Sequence, residues 1–187
     1  MRRLFTLVTF LILLQGVTSE CPLGWVFHGS SCYLFVYHHK DWTAAEDDCK
    51  SQNSYLVNIG DGAENEFLRT VLHVQENEED FWIGATDAIV EGGWRWMPHF
   101  DKIDYNDWIP GQPNDNHNQD CMQLYHAVQY HWDDDHCEEQ KYFICEKEWV
   151  SVFKLKLACT LFTLARFNIN VIIPQSFCVH VHSCRYT

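Results

Sequence analysis

Oxygen-bearing side chains crowd the segment from Gln112 to Cys137, which begins Gln-Pro-Asn-Asp-Asn-His-Asn-Gln-Asp-Cys. A second group, Trp132-Asp133-Asp134-Asp135, lies near its end. Hard cations such as Ca²⁺ take six to eight oxygen ligands, and amide carbonyls serve beside carboxylates. A solvated acidic loop would have the same acid content, so composition alone leaves both interpretations open. The spacing of the oxygens and the cysteines at 121 and 137 favour a metal site.

Pro113 stands between two of the candidate ligands, Gln112 and Asn114. Among the amino acids, proline is the one whose preceding peptide bond is cis at an appreciable frequency. A cis bond at Pro113 would let both amide side chains point to the same side of the loop.

The segment resembles the long loop and sugar site of a C-type lectin domain. In that family a Glu-Pro-Asn or Gln-Pro-Asp triplet and a later Trp-Asn-Asp triplet share a Ca²⁺ ion with two sugar hydroxyls. Here the triplets read Gln112-Pro113-Asn114 and Trp132-Asp133-Asp134, and Trp82-Ile83-Gly84-Ala85 matches the family's central Trp-Ile-Gly-Leu strand. The resemblance covers about residues 21–147. It implies a C-type lectin-like fold with two helices, antiparallel sheets, a long calcium-binding loop and three disulfides.

The resemblance also implies two calcium sites, each with its own set of ligands. The principal site would use Gln112, Asn114, Gln119, Asp133 and Asp134, and the auxiliary site Asp87, Glu91, Asp115 and Asp120. Sugar hydroxyls would contact Gln112, Asn114, Gln119 and Asp133. The auxiliary set is intact, but the principal set keeps two carboxylates where the mannose-type pattern has three. Fewer ligand charges should weaken calcium binding.

The principal set also changes the hydrogen bonds offered to a sugar. Gln112 can only donate while its carbonyl faces the metal, whereas Asp133 can only accept. In the family pattern the Glu accepts and the Asn donates, so the two roles are exchanged here. One sugar hydroxyl still meets one donor and one acceptor. Asn114 and Gln119 are both amides, so a second hydroxyl meets two donors. The Gln-Pro start favours galactose-type sugars and the Asn finish favours mannose-type, and both stay open.

The chain begins with a basic start, a short apolar run and small residues before position 20, which predicts a signal peptide over residues 1–19. We therefore expect a secreted, extracellular protein whose cysteines pair. Six cysteines lie in the predicted domain and allow fifteen connectivities. The family resemblance implies Cys21–Cys32, Cys49–Cys145 and Cys121–Cys137. A zinc site is a weaker alternative, because the chain has no Cys-x₂-Cys pair.

Periodicity predicts two helices followed by short strands, which indicates an α+β domain over residues 20–147. The first helix would be capped by Asp41 or Thr43. The second would run over 63–74, with Phe67, Val71 and Val74 on one face and Leu68 and Leu72 beside it. The predicted strands cover 25–27, 32–37, 55–59, 81–85, 94–96, 121–125 and 142–145. The stretch 97–120 has little regular pattern, which is typical of a functional or disordered loop.

Charge separates the domain from the rest of the chain. Residues 20–147 hold 25 acidic and 7 basic side chains, a net charge of −18. Nucleic acid is therefore not an expected partner, because phosphate binding requires a basic patch. Residues 148–187 are basic and apolar, contain no recognisable domain, and are predicted to be a poorly ordered tail. Their longest charge-free apolar stretch is too short to span a bilayer, so no transmembrane segment is expected.

These observations predict a secreted C-type lectin that binds glycans through Ca²⁺, with innate immune recognition as one role open to it. The alternative is a lectin-like domain that binds protein, mineral or ice without sugar coordination. An enzyme is not expected, since the chain offers no nucleophile and base in a catalytic arrangement. A homo-oligomer is compatible with the sequence, which does not decide the oligomeric state.

Overall fold

The computed structural model of the chain describes residues 21–76 and 78–149. The predicted signal peptide, residues 1–19, and nearly all of the predicted tail, residues 148–187, lie outside the described residues. Both therefore stay predictions. The described helices and strands are named here α1, α2 and β1 to β9 in chain order.

Side-chain caps fix where both helices begin. Helix α1 spans Trp42–Ser51, and the Asp41 carboxylate accepts a hydrogen bond from the Ala44 amide at 2.8 Å. Of the two predicted starts, Asp41 is therefore the correct one. Helix α2 spans Gly62–Val74, and the Asp61 carboxylate accepts from two amides of its first turn. Such caps satisfy amides that have no partner within the helix.

The buried face of α2 differs from the predicted one. Leu68 and Leu72 are fully buried, whereas Val74 is 77% exposed. Asn65, Leu68 and Leu72 form a stripe spaced by three and four residues, which is the spacing of one helix face. Phe67 and Val71 lie at the margin of this stripe and are partly buried against the core. Placing Val74 on the main apolar face was wrong because it lies beyond that stripe, in the last turn.

Nine strands form one sheet within the described residues. They are β1 Val26–His28, β2 Ser31–Lys40, β3 Tyr55–Leu56, β4 Phe81–Thr86, β5 Arg95–Trp96, β6 Asp101–Lys102, β7 Cys121–Tyr125, β8 His131–Asp135 and β9 Lys141–Glu148. A 3-10 turn, His126–Val128, joins β7 to β8. The main path runs β1-β2-β9-β4-β5-β6, with β3 beside β9, β7 beside β4, and β8 beside β7. All neighbours are antiparallel except β4 and β9, so the sheet is mixed rather than purely antiparallel.

The strands match the predicted ones in position more closely than in length. The predicted strand 55–59 shortens to Tyr55–Leu56, and 94–96 shortens to Arg95–Trp96. Strands β6 and β8 were not predicted. Every residue of β4 is buried, as expected for the central strand. At Gly84 the backbone of Leu56 approaches so closely that an added Cβ would lie 2.4 Å from its carbonyl oxygen.

Within the described residues, three disulfides join the pairs that the family resemblance implies, Cys21–Cys32, Cys49–Cys145 and Cys121–Cys137. The second connects α1, in the first part of the domain's sequence, to β9, its last strand, over a sequence separation of 96 residues. The third links the start of β7 to the residue two positions after β8. It therefore holds together the two ends of the β7–β8 segment at the base of the long loop, residues 97–120. Across residues 21–76 and 78–149, neither helix has the length and apolar content that crossing a bilayer requires.

We expect the Cys49–Cys145 bond to stabilise the domain most, because it closes the longest loop. Replacing both of its cysteines by serine should lower the free energy of unfolding by on the order of 4–5 kcal/mol, enough to unfold a marginal domain at 37 °C. The matched control is Cys21→Ser with Cys32→Ser, which opens a separation of 11 residues and should cost about 3 kcal/mol. Urea denaturation followed by circular dichroism measures both values. Equal losses in the two variants would contradict the loop-length explanation.

Candidate functional site

Strand β8 brings three consecutive aspartates against the long loop. It pairs with β7 so that Asp133 lies opposite Gln123, and Asp134 lies opposite Met122. The preceding residue, Trp132, is fully buried, and its indole Nε1 donates to Asn65 Oδ1 at 2.9 Å. This anchor fixes the strand in the core. The aspartates that follow are therefore held in or near the protein interior, where each one needs polar partners.

Asp134 holds the first part of the loop through main-chain amides. It is 1% exposed, and its carboxylate accepts from the Asn114 amide at 3.0 Å and from the Asp115 amide at 2.7 Å. The Gln112–Pro113 peptide bond is cis. The Asn114 side chain donates to Gln112 Oε1, so both amide side chains lie on the same side of the loop. The structure thus brings three predicted principal ligands together: Gln112, Asn114 and Asp134.

Asp133 keeps one oxygen without a partner. Its Oδ2 accepts from Gln123 Nε2 at 2.9 Å, but its buried Oδ1 accepts no hydrogen bond, and neither does Gln123 Oε1. Burial, together with the charges of Asp134 and Asp135, raises the pKa of Asp133 to about 6. Buried acceptors without donors are costly. Asp133 Oδ1 is therefore an acceptor suited to a cation or a hydroxyl donor.

Gln119, the remaining predicted principal ligand, is tied to a residue outside the predicted set. Its Nε2 donates to Asp135 Oδ1 at 3.1 Å, and its Oε1 accepts from the Asn116 amide at 3.2 Å. Asp135 in turn receives Lys141 Nζ at 2.7 Å. Burial opposes ionisation of Asp135, but its hydrogen bond with Lys141 and the charge of that lysine outweigh burial and lower the pKa of Asp135.

Three of the four predicted auxiliary ligands form one cluster. Glu91, Asp115 and Asp120 place carboxylate oxygens within 4.8 Å of one another. Two of these carboxylates also hold the loop, because Asp115 accepts from the Gln119 amide and Asp120 accepts from Asn118 Nδ2. The loop therefore concentrates negative charge at the place where the resemblance implies a second Ca²⁺.

Asp87, the fourth auxiliary residue, lies buried beside this cluster. It is 4% exposed, its Oδ2 accepts from the Gly92 amide at 2.9 Å, and its buried Oδ1 accepts no hydrogen bond. Burial, together with the negative charges of Glu91 and Asp120, raises the pKa of Asp87 to about 6. These charges place Asp87 in the same electrostatic neighbourhood, although its oxygens are not within the 4.8 Å group.

These residues fit a hard divalent cation. Among the described residues, none of the six carboxylates in the two predicted sets forms an ion pair with Lys, Arg or His. Like charges in contact repel, and a divalent cation between them removes that cost. The acceptor oxygens without partners, on Asp87 and Asp133, are of the kind that Ca²⁺ takes as ligands.

A second acidic pair, outside the loop, was not predicted. Glu146 on β9 is 6% exposed and accepts from the Asn58 amide at 3.2 Å. Glu64 on α2 accepts from the Tyr33 hydroxyl at 2.6 Å. Burial, together with the charge of Glu64, raises the pKa of Glu146 to about 7. The two glutamates are far apart in sequence, so no local pattern could have revealed the pair.

Comparison with known sequences identifies the class of protein. The family model for the lectin C-type domain matches residues 38–147. A perlucin-like protein of Mytilus galloprovincialis is 35% identical over 128 residues, which are 67% of this chain and 82% of that protein. The galactose-specific lectin nattectin of Thalassophryne nattereri is 32% identical, over 76% of this chain and 95% of that protein. Asialoglycoprotein receptor 2 of Homo sapiens is 34% identical over 68% of this chain, which spans only 40% of that receptor.

Solved structures give the same answer for the fold. The carbohydrate-recognition domain of mouse scavenger receptor C-type lectin matches with a TM-score of 0.64 and 32% identity, over 71% of this chain and 99% of that one. A calcium-independent type II antifreeze protein matches with a TM-score of 0.63 and 30% identity, over 70% and 96%. The chain therefore belongs to the C-type lectin domain family, whose members are generally not enzymes. The predicted fold class is confirmed.

The raised pKa of Glu146 predicts how stability depends on pH in calcium-free buffer. The folded pKa, about 7, lies above the usual 4.5. The folded state therefore binds more protons between these values, and stability should fall as pH rises from about 4.5 to 7, by up to about 1.4 kcal/mol per pH unit. Asp87 and Asp133, with pKa values of about 6, add slope of the same sign below pH 6. Glu146→Gln should therefore reduce the slope, most clearly between pH 6 and 7. The exposed Glu66→Gln is the matched control and should leave the slope unchanged. Melting curves from pH 4.5 to 8 with a chelator test this, and a flat profile for the unmodified protein would contradict it.

Proposed function

We propose that this domain is a secreted lectin that binds glycans through Ca²⁺. Membership of the C-type lectin domain family supports glycan binding as the general function. The observation that carries the calcium dependence is the cluster of Glu91, Asp115 and Asp120, beside a buried Asp87 oxygen that has no partner. The six paired cysteines support an extracellular location. The predicted signal peptide over residues 1–19 is part of the same proposal.

The two sets of residues have different tasks. The auxiliary set, Asp87, Glu91, Asp115 and Asp120, would hold a cation that removes the repulsion within the loop. The principal set, Gln112, Asn114, Gln119, Asp133 and Asp134, would hold the cation that faces the sugar. A bound Ca²⁺ there supplies a Lewis-acidic centre to which two vicinal hydroxyl oxygens coordinate. Asp134 serves mainly by orienting the loop, because it already accepts from the Asn114 and Asp115 amides.

The sugar hydroxyls would be read by hydrogen bonds from the same side chains. Asp133 Oδ1 is a free acceptor, and Gln112 supplies an amide donor, so these two form the donor and acceptor pair at one hydroxyl. A neutral hexose suits this site because the domain carries a net charge of −18, which disfavours anionic ligands. Nucleic acid is excluded from the proposal for the same reason.

Galactose-type sugars are the first class to test. The Gln112-Pro113 start has the galactose-type first residue, and the relative nattectin carries the name of a galactose-specific lectin. Asn114 in the third place belongs to the mannose-type pattern, so mannose is the necessary comparison. An array of both sugar types, read with and without a chelator, distinguishes them and tests the calcium dependence together.

A second candidate function is binding of protein, mineral or ice without sugar coordination. Two observations favour it: the principal set has only two carboxylates, and the domain resembles a calcium-independent type II antifreeze protein. The array result discriminates here as well. Glycan binding that disappears with the chelator supports the first function, whereas no glycan binding in millimolar calcium supports the second.

Calcium should raise the melting temperature, because a ligand that binds only the folded state stabilises it by mass action. At a calcium concentration 100-fold above the dissociation constant, the gain is about 2.7 kcal/mol. Asp87→Ala with Asp120→Ala should remove most of it. The matched control, Asp47→Ala with Asp101→Ala, removes two exposed acids elsewhere and should keep the gain. A melting curve of the unmodified protein that is unchanged by millimolar calcium would reject both sites.

Asp133→Asn should weaken calcium and sugar binding together, because one carboxylate would then remain in the principal set. The Asn side chain can still accept from Gln123 Nε2, so the strand pairing should survive. Titration calorimetry with calcium, then with galactose and mannose, measures the change, and Asp104→Asn serves as an exposed control. Equal calcium affinity in the variant and the unmodified protein would place the principal site elsewhere.

A further inference from the structure

We propose that Asp135 is a positioning residue that sets which way the Gln119 amide faces, and that Lys141 in turn holds Asp135. The inference rests on the proposed function, because Gln119 is one of the principal ligands proposed above. Asp135 belongs to neither predicted ligand set. It lies at the end of β8, one residue beyond Asp134.

The contacts form a continuous chain from the core to the loop. Lys141 Nζ lies 2.7 Å from Asp135 Oδ2, and the lysine side chain is only 10% exposed. The same ammonium lies 5.0 Å from the centre of the buried Trp82 ring. Asp135 Oδ1 accepts from Gln119 Nε2 at 3.1 Å and from the His136 amide at 2.8 Å.

Lys141 determines the polarity of the whole arrangement. An ammonium can only donate, so the Asp135 atom that faces it must be an acceptor. A carboxylate then presents its second oxygen, also an acceptor, to Gln119. That oxygen accepts from the His136 amide as well. Of the two polar groups of the Gln119 side chain, only the NH₂ can donate to it, and the amide oxygen is therefore turned to the loop. There it accepts from the Asn116 amide at 3.2 Å, on the side where the loop ligands lie.

This arrangement explains why an amide suits position 119. The resemblance places a glutamate there in the family pattern. A glutamate facing the ionised Asp135 would set oxygen lone pairs against each other and add a like charge at short distance. The amide at 119 and the carboxylate at 135 therefore form a matched pair.

The pairing also affects the proposed sugar site. One proton of the Gln119 NH₂ group is engaged by Asp135, and one proton of the Asn114 NH₂ group is engaged by Gln112 Oε1. An amide NH₂ has two protons, so each group keeps one for a sugar hydroxyl, in a direction that its protein partner fixes. Asp135 would thus influence sugar choice without touching the sugar.

The test is a double-mutant cycle in the full-length protein with four forms: unmodified, Asp135→Asn, Gln119→Glu, and the two combined. With Asp135→Asn, the amide must keep its oxygen on Lys141 and present NH₂ to Gln119, which forces the glutamine to turn. Both variants that carry Asp135→Asn also lose the bond from the His136 amide, so that loss cancels in the coupling. Calcium affinity should then fall about 10- to 100-fold, as is typical when the partner of a metal ligand is changed. In the combined variant the Asn NH₂ donates to the introduced carboxylate. It should bind calcium at least about tenfold more tightly than Gln119→Glu alone, a coupling that independent sites do not show.

The control is Asp48→Asn, which alters a partly buried lysine–aspartate pair away from the loop. Asp48 lies 2.8 Å from Lys40, and its side chain is 21% exposed, against 20% for Asp135. Its calcium affinity should stay within about twofold of the unmodified protein, as expected for an independent site.

A calcium-free measurement separates this inference from the proposed function. The side-chain NH₂ protons of Gln119, followed by NMR with a chelator present, should exchange slowly in the unmodified protein and quickly in Asp135→Asn. If these protons are unprotected in the unmodified protein, the inference is wrong. If calcium binds and the four affinities combine without coupling, it is wrong as well. If no form binds calcium but the protons are protected, the positioning stands and the proposed function fails.

Discussion

Three consecutive aspartates on one strand impose the constraint on which the loop depends. Asp133 and Asp134 are buried and Asp135 is half-buried, and a charge taken out of water must find a partner or lose its proton. Each aspartate does so differently. Asp134 takes two main-chain amides of the loop, Asp135 takes Lys141 and Gln119, and Asp133 has Gln123 and one free oxygen. The loop conformation is in large part the set of donors that these carboxylates require.

Much of the fold could be predicted from the sequence because it is encoded in local residue patterns and in cysteines at characteristic spacings. The Asp41 cap, the apolar run of β4 and the cysteine pattern each identify an element or a bond. Errors arose where tertiary packing decides the outcome. Val74 fits an apolar helix pattern, but the sheet covers the stripe of Leu68 and Leu72 instead. Strand β8 was missed because its acidic residues suggest a loop, and only pairing with β7 makes it a strand.

The candidate site could be predicted in its residue types but not in its internal connections. The acids and amides of the loop are visible in the sequence, and the structure gathers Glu91, Asp115 and Asp120 as the resemblance implies. The partner of Gln119 was not visible, since nothing in the local sequence shows that Asp135 faces it or that Lys141 fixes Asp135. Such contacts depend on strand register and side-chain direction, which no spacing rule encodes. The hydrogen bonds that the loop amides can offer to a ligand therefore depend on their partners within the protein.

The proposed metal binding and the ordering of the loop would be coupled in one equilibrium. In the segment 111–120, residues 111 and 113–118 are exposed, and residues 112, 119 and 120 are only partly buried. Apolar burial therefore contributes little to its conformation. The contacts that hold it are carboxylate-to-amide bonds from Asp134, Asp115 and Asp120, together with the disulfide at its base. The same carboxylates repel one another when no cation lies between them. The interactions that order the loop thus also bring together negative charges that oppose its order. The proposed divalent cation would stabilise the ordered loop by removing that repulsion.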